Sequence, residues 1–293
     1  MMANITDIKR FAIHDGDGIR TTVFFKGCPL KCVWCHNPET ISTKKQLAFY
    51  EHKCILCGKC VSVCENHRIT NGKHILNRLK CTLCDKCIES CTSEALISYG
   101  KQMSCDEICR ILLQDKEFYE SSGGGITLSG GECLMQADAC REILMAMKKE
   151  GINTAIDTCG AIPFSNIEKV IDYTDVFLYD IKAIDEDIHI KCTGRSNKQI
   201  LENLKKINSY GKKIEIRIPY VPNYNETQMY KILNTIEKLQ NLVKVRVLPY
   251  HDFARSKYSA LHMECTLPDI KPEINKLEMV REIFKKNIIC PVL

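Results

Sequence analysis

The sequence predicts an α/β protein: a partial (β/α)6 barrel of the TIM type, interrupted by one small cysteine-rich insert. Three observations carry this reading. Beyond Tyr99, short apolar runs alternate with stretches of helical apolar spacing. Polar motifs recur at or just beyond the ends of those runs, where an α/β barrel places its active-site rim. Residues 48–98 break the alternation with two cysteine runs of identical spacing. Residues 1–47 and 99–293 are therefore expected to form the barrel, and residues 48–98 an inserted domain.

In chain order, residues 7–20 precede the first expected strand and contain His14-Asp15-Gly16-Asp17-Gly18-Ile19-Arg20, whose two glycines suggest a tight loop. Taken alone, a plain turn accounts for this stretch. Residues 21–25, β-branched and aromatic, read as a buried strand that delivers the next loop at its C-terminal end. Further strands are expected at 126–128, 154–156, 176–179, 214–218 and 243–248, and helices at 104–120, 135–150, 197–210 and 226–239. That makes six strands, two short of a closed eight-stranded barrel.

The 293 residues, 45% of them hydrophobic, suffice for a sizeable core. The opening residues contain no apolar segment of leader type, and no uncharged apolar run approaches the ~18 residues of a membrane span. A cytoplasmic protein without a membrane partner is expected. The formal net charge of +5 comes without a Lys/Arg run interleaved with aromatics, which argues against nucleic acid. An odd count of 19 cysteines, clustered at short gaps, fits metal binding in a reducing compartment better than a disulfide scaffold.

The loop after residue 25 carries Cys28, Cys32 and Cys35 in the spacing C-x3-C-x2-C. Three thiolates on one tight loop suit a cubane iron–sulfur cluster with one iron left open. A triplet of set spacing arises by chance about 0.08 times in a chain this rich in cysteine, so context has to support it. The competing reading is a zinc knot with His36 as fourth ligand, which the adjacency of His36 to Cys35 makes awkward.

In the insert, Cys54, Cys57, Cys60 and Cys64 are followed by Cys81, Cys84, Cys87 and Cys91, the same spacing at an offset of 27 residues. One such quartet is expected by chance about 0.005 times. The spacing is that of bacterial ferredoxins, in which the fourth cysteine of each half ligates the other half's cluster. This pairs Cys54, Cys57, Cys60 and Cys91 on one [4Fe-4S] cluster and Cys81, Cys84, Cys87 and Cys64 on a second. Glu65 and Thr92 replace the proline usual after the fourth cysteine, which leaves the local turn open. A zinc ribbon needs fewer cysteines per half than are present. Three clusters together would carry about −2, −2 and −1, offsetting the basic balance.

The polar motifs are Ser129-Gly130-Gly131-Glu132, Asp157-Thr158-Cys159-Gly160, Asp180-Ile181-Lys182, Arg217-Ile218-Pro219 and Pro249-Tyr250-His251. Each alone reads as a turn or cap, but together with the cysteine loop they converge on one rim. The open iron needs a ligand with hard donors, a Gly-Gly backbone admits a small ligand closely, and Asp180, Lys182 and His251 offer polar contacts. S-adenosylmethionine (SAM) fits, since its amino and carboxylate groups can chelate iron.

The stretch HDGDGIRTTVFFKGCPLKCVWCHNPE (residues 14–39), followed by SGGE, DTCG, DIK, RIP and LPYH, resembles the glycyl radical enzyme activating enzymes of the radical SAM superfamily over nearly the whole chain. CxxxCxxC marks the superfamily; the HDGxGIR lead-in and WCxNPE tail are more specific to activating enzymes. The paired insert resembles the group that activates dehydratases, decarboxylases and lyases. The resemblance implies that Cys28, Cys32 and Cys35 hold a catalytic [4Fe-4S] cluster, giving three clusters in all. It implies that Trp34, Cys35 and His36 lie along the adenosyl moiety, that Gly130 and Gly131 meet the methionine amino group, and that Asp180, Ile181, Lys182 and His251 complete the pocket. Asp17 departs from the family's usual proline, and Cys133 from a proline or small residue.

The reaction so implied is reductive cleavage of SAM to methionine and a 5′-deoxyadenosyl radical, which abstracts a hydrogen from a glycine Cα of a partner glycyl radical enzyme. Flavodoxin or ferredoxin would supply the electron; the chain is expected to be a monomer, and its substrate is a protein loop. By general similarity a hydroxyproline dehydratase leads as partner, with glycerol or propanediol dehydratase close behind. Two other classes remain open: a radical SAM enzyme acting on a small molecule or peptide, and a multi-cluster electron-transfer protein. Of the cysteines outside the runs, Cys105 and Cys109 lie four apart on an expected helix and, like Cys133, read as packing thiols.

Overall fold

The computed structural model describes residues 1–293. Strands β1 (Met2–Ala12) and β2 (Arg20–Phe25) lead into the cysteine loop. The insert follows as β3 (Gln46–Phe49), α1 (Lys59–Val63), β4 (His67–Thr70), β5 (Lys73–Leu76), α2 (Lys86–Glu89) and β6 (Leu96–Tyr99). Then come β7 (Lys101–Ser104), α3 (Cys105–Leu113), α4 (Lys116–Ser122), β8 (Gly125–Gly130), α5 (Ala137–Lys149), β9 (Asn153–Thr158), α6 (Phe164–Ile171) and β10 (Val176–Asp180). The chain ends with α7 (Glu186–Thr193), α8 (Lys198–Ser209), β11 (Lys213–Tyr220), α9 (Met229–Ile236), β12 (Leu242–Pro249), α10 (Arg255–Leu261) and α11 (Ile274–Asn287).

One eight-stranded sheet runs in the order β12-β11-β10-β9-β8-β2-β1-β7. The six strands from β2 to β12 are all parallel, joined by helical crossovers, and they are the six the sequence predicts. Two antiparallel strands were not anticipated: β1 pairs with β2, and β7 with β1. Most of β1 stays solvated, with only Ala3, Ile5 and Ala12 buried, so it carries no clear apolar signal.

The expected helix at 104–120 is divided into α3 and α4 because Asp115 turns inward, where its buried carboxylate accepts from Thr21 Oγ1 at 2.6 Å and pairs with Arg10. Helices α6, α7, α10 and α11 escaped the pattern. Three of them are short, at seven or eight residues, which leaves few turns to display a period.

Side chains alternate across a strand, and this decides where the site lies. Val23, Phe25, Ile126, Leu128, Ile156, Phe177, Tyr179, Ile214, Ile216, Ile218, Val245 and Val247 enter a core of 43 buried residues beneath the helices. The intervening Phe24, Ser129, Asp157, Asp180, Arg217 and Arg246 face a cavity instead. Parallel strands covered on both faces read as continuous apolar runs; Lys213-Ile-Glu-Ile-Arg-Ile-Pro219 alternates because one of its faces lines that polar space.

Arg20, buried in β2, ties three strands together. Its Nε donates to Thr127 Oγ1 at 2.7 Å, Nη1 to Asn153 Oδ1 at 3.1 Å, and Nη2 to the Ile126 carbonyl. The arginine of the lead-in motif is thus a structural brace. Arg20→Met keeps the stem and removes these bonds; at about 2–3 kcal/mol for hydrogen bonds to a charged group, it should lower the anaerobic thermal unfolding midpoint by several degrees.

In the insert, β3 and β6 pair antiparallel and close its base, while β4 and β5 form a hairpin between the two cysteine runs. The repeat extends to the backbone. Leu56 and Gly58 have positive φ, as do Leu83 and Asp85 at the same offset. Lys45 reaches the second run through the Leu83 carbonyl at 2.9 Å and an ion pair with Asp85, and Arg78 donates to the Ala260 carbonyl at 2.6 Å. No helix of the protein is long and apolar enough to cross a membrane.

Candidate active site

The ends of the parallel strands open into a cavity of about 840 Å³. Cys28, Cys32, Cys35, Trp34, His36, Gly130, Gly131, Asp180, Lys182 and His251 all line it. Ile181 does not. Its side chain is buried in the hydrophobic core and its N–H donates to the Arg217 carbonyl at 2.9 Å, as alternation from Asp180 requires.

The cysteine loop is held from several sides. Gly27, with φ of 108°, donates to the Thr40 carbonyl at 2.7 Å, and Cys28 N–H to Ile41 at 3.1 Å. Lys31 and Val33 donate to Thr193 and Cys192 at the end of α7, each at 2.9 Å. From α10, Tyr258 Oη donates to the Cys35 carbonyl at 3.1 Å. Lys257 Nζ reaches Glu39 Oε1 at 2.6 Å and Asn37 Oδ1 at 3.2 Å. The Asn37-Pro38-Glu39 tail is therefore an anchor for the loop. Residues 252–293, opaque in the sequence, supply its lock.

The two glycines of SGGE answer to packing. A Cβ on Gly131 would lie 2.4 Å from the Gly27 oxygen and 2.9 Å from Cys28 Cβ; one on Gly130, whose φ is 120°, would lie 2.2 Å from the Phe25 oxygen. Their absence lets the turn run against the loop, joined by Gly131 N–H to Phe25 at 3.1 Å and Glu132 N–H to Gly27 at 2.8 Å.

Glu132 and Arg217 are roles that spacing did not disclose. The buried Glu132 carboxylate accepts from Thr158 Oγ1 at 2.8 Å, Cys159 N–H at 2.9 Å and the Cys159 thiol at 3.0 Å, binding SGGE to DTCG. Burial pushes its carboxyl up, against the pull of those bonds. Arg217 pairs with Asp157 at 3.2 Å and donates to the His14 carbonyl at 2.9 Å, drawing the lead-in loop onto the cavity wall. Burial pushes Asp157 up to about 6 even beside that guanidinium.

Lys182 Nζ lies 2.7 Å from Asp180 Oδ2. Burial alone would lower the lysine, yet Asp180 and the neighbouring thiols hold it above its ordinary value, so it stays an ammonium. His36 stacks on His251 with centroids 3.8 Å apart, and its Nε2 lies 2.7 Å from the His251 carbonyl oxygen. That nitrogen is engaged, which leaves Nδ1 as the free nitrogen of the ring. Trp34 packs among Cys192, Val221 and Tyr250 and forms the apolar wall.

In the insert, a second, small cavity brings together Cys54, Cys57, Cys60 and Cys91. Cys64 lies close enough to Cys87 to raise it, together with Cys81 and Cys84, behind the larger effect of burial. The fourth cysteine of each run thus sits with the other run. Cys133 and Cys105 are buried thiols, as expected, while Cys109 is only half-buried against the core.

Fold and site together define the class. The model of the radical SAM superfamily matches residues 22–236, and the chain belongs to that superfamily, whose members use SAM and a [4Fe-4S] cluster. A solved structure, Streptococcus suis SuiB bound to S-adenosylmethionine, shares the fold with a TM-score of 0.53 at 18% identity, covering 65% of this chain and 43% of that one. Among curated relatives, the trans-4-hydroxy-L-proline dehydratase activating enzyme of Clostridioides difficile is 42% identical over 97% of this chain and 96% of its own length. The (2S)-3-sulfopropanediol dehydratase activating enzyme of Klebsiella oxytoca is 38% identical, covering 98% and 96%. The benzylsuccinate synthase activating enzyme of Thauera aromatica is 43% identical, covering 76% and 70%. The chain is a member of the glycyl radical enzyme activating enzymes.

Proposed function

We propose that this protein installs the radical of a partner glycyl radical enzyme of the dehydratase or lyase type, with trans-4-hydroxy-L-proline dehydratase the first candidate. The observation that carries the reading is the shared cavity: three thiolates, a Gly-Gly turn, the Asp180–Lys182 pair and His251 face one space. Cys28, Cys32 and Cys35 would hold a [4Fe-4S] cluster there, which would supply the electron for reductive cleavage of SAM to methionine and the 5′-deoxyadenosyl radical that takes a hydrogen atom from the glycine Cα.

The protein's own residues bind, orient and exclude water. Cys28, Cys32 and Cys35 hold the cluster, and Gly130 and Gly131 present backbone to the methionine amino group. Lys182, kept cationic by Asp180, suits the methionine carboxylate. Trp34 and His36 offer flat faces to the adenosyl group, with His251 stacked behind His36, and the apolar wall keeps the radical from water.

Residues 48–98 act as an inserted domain based on the β3–β6 pair, carrying two auxiliary [4Fe-4S] clusters on Cys54, Cys57, Cys60 and Cys91 and on Cys81, Cys84, Cys87 and Cys64. The repeated backbone conformation and the crossed cysteine sets support this. Flavodoxin or ferredoxin serves as electron donor, and the protein works as a monomer.

The test is anaerobic incubation of the reduced holoprotein with SAM and each candidate glycyl radical enzyme. A glycyl doublet in the EPR spectrum of the partner, with 5′-deoxyadenosine formed in step with spin, is expected. Steady 5′-deoxyadenosine release with no doublet in any partner would favour a small-molecule substrate.

A further inference from the structure

The two cysteine quartets of the insert share a spacing but differ in their surroundings. His74 of β5 lines the cavity formed by Cys54, Cys57, Cys60 and Cys91. Cys60 Sγ and one ring nitrogen each of His67 and His74 all lie within 4.8 Å of one another. His67 is buried, and its Nδ1 sits 2.8 Å from His74 Nε2. The remaining nitrogen of His74, Nδ1, is buried and has no hydrogen-bond partner in the protein. Phe49, on the wall of the same cavity, packs against the His74 ring with centroids 4.2 Å apart. The second quartet has no counterpart: at the repeat offset, His67 and His74 correspond to Glu94 and Lys101.

We propose that His74 donates a hydrogen bond from Nδ1 to a sulfur of the cluster held by Cys54, Cys57, Cys60 and Cys91, raising that cluster's reduction potential above that of its twin. The inference rests on the two-cluster reading of the insert. A neutral imidazole carries one N–H, and the His67–His74 contact ties the tautomers of the two rings together. If His67 Nδ1 donates to His74 Nε2, the His74 proton resides on Nδ1. The reverse arrangement would leave a bare, buried lone pair on Nδ1 of a ring that lines the cavity of the four cysteines, where a cluster with a cysteine on every iron has no use for it. A donor to cluster sulfur stabilises the more negative, reduced form, so the potential rises. His67 is a positioning residue in this scheme, acting through the tautomer of its neighbour.

The experiment is an EPR-monitored redox titration of anaerobic holoprotein, comparing wild type with His74→Phe and His74→Gln. Wild type should show two distinct auxiliary potentials. His74→Phe should lower the higher one by a roughly tenfold shift in the reduction equilibrium, about 59 mV for one electron, and leave the other in place. His74→Gln, which keeps a donor, should recover part of that shift.

Unshifted potentials in a fully loaded His74→Phe protein would overturn the inference while leaving the two-cluster reading intact. Iron and sulfide contents of wild type that fall short of two auxiliary clusters would overturn both. Should His74→Phe fail to load, wild type labelled with 15N-histidine decides. A solvent-exchangeable proton coupled to the reduced cluster supports the donor, whereas its absence, or strong coupling from iron-bound nitrogen, refutes it.

Discussion

Cys28→Ala should reduce 5′-deoxyadenosine formation under dithionite to background and abolish the glycyl doublet in any partner. Three thiolates are the least that leaves a cubane one open iron, and removing one leaves two irons without protein ligands. A thiol that could substitute is Cys159, which lines the same cavity and is itself held by Glu132 at 3.0 Å. A Cys28→Ala/Cys159→Ala double variant closes that route. On the three-cluster proposal the insert shares no ligand with the loop, so the iron content should fall by about a third. Product formation at the wild-type rate in the double variant would sink the assignment of the catalytic cluster. An electron-transfer protein, by contrast, would give no product even as wild type.

The parallel sheet was legible because each strand carries its own apolar run, and the motifs were legible because each follows a strand. What escaped were features set by tertiary partners. β1 lacks a buried face of its own beyond three residues, so only its pairing with β2 and β7 reveals it. Ile181 looked like part of the Asp180-Ile181-Lys182 site, but strand alternation sends it into the core. The charges of Glu215 and Arg217 in an otherwise apolar strand were the signal for a polar interior face. Read with period two, they mark the cavity side of the sheet. Glu132 is a different case. Nothing in SGGE distinguishes a ligand from a brace, and only its bonds to Thr158 and Cys159 show that it joins two neighbouring motifs. The role of α10 in securing the Cys35–Glu39 segment depends on contacts more than 215 positions apart in sequence, such as Lys257 with Glu39.

Gly131→Ala should give a folded protein that loses about 10²-fold in SAM cleavage, because the effect is local to the cysteine loop. The new Cβ would meet the Gly27 oxygen at 2.4 Å and Cys28 Cβ at 2.9 Å, contacts with backbone and with the base of a proposed cluster ligand rather than with a mobile side-chain tip. Overpacking of this kind costs about 1–3 kcal/mol, which a chain with a core this size can absorb. The geometry cannot absorb it so easily. Relief requires the SGGE turn to move away from Gly27, breaking the 2.8 Å bond from Glu132 and, through Glu132, disturbing Thr158 and Cys159. A displacement of about 1 Å at reacting groups is worth 10²-fold in rate. The EPR signal of the reduced catalytic cluster should still appear but respond weakly to added SAM, while the auxiliary signals stay unchanged. Gly151→Ala is the control: its φ is also positive, at 72°, but a Cβ there meets nothing within 4 Å. It should cost stability of about 1 kcal/mol and leave SAM cleavage as it was. Equal activity losses in the two variants would mean that glycine matters here for chain conformation alone. A difference confined to Gly131 places the requirement at its contact with the cysteine loop.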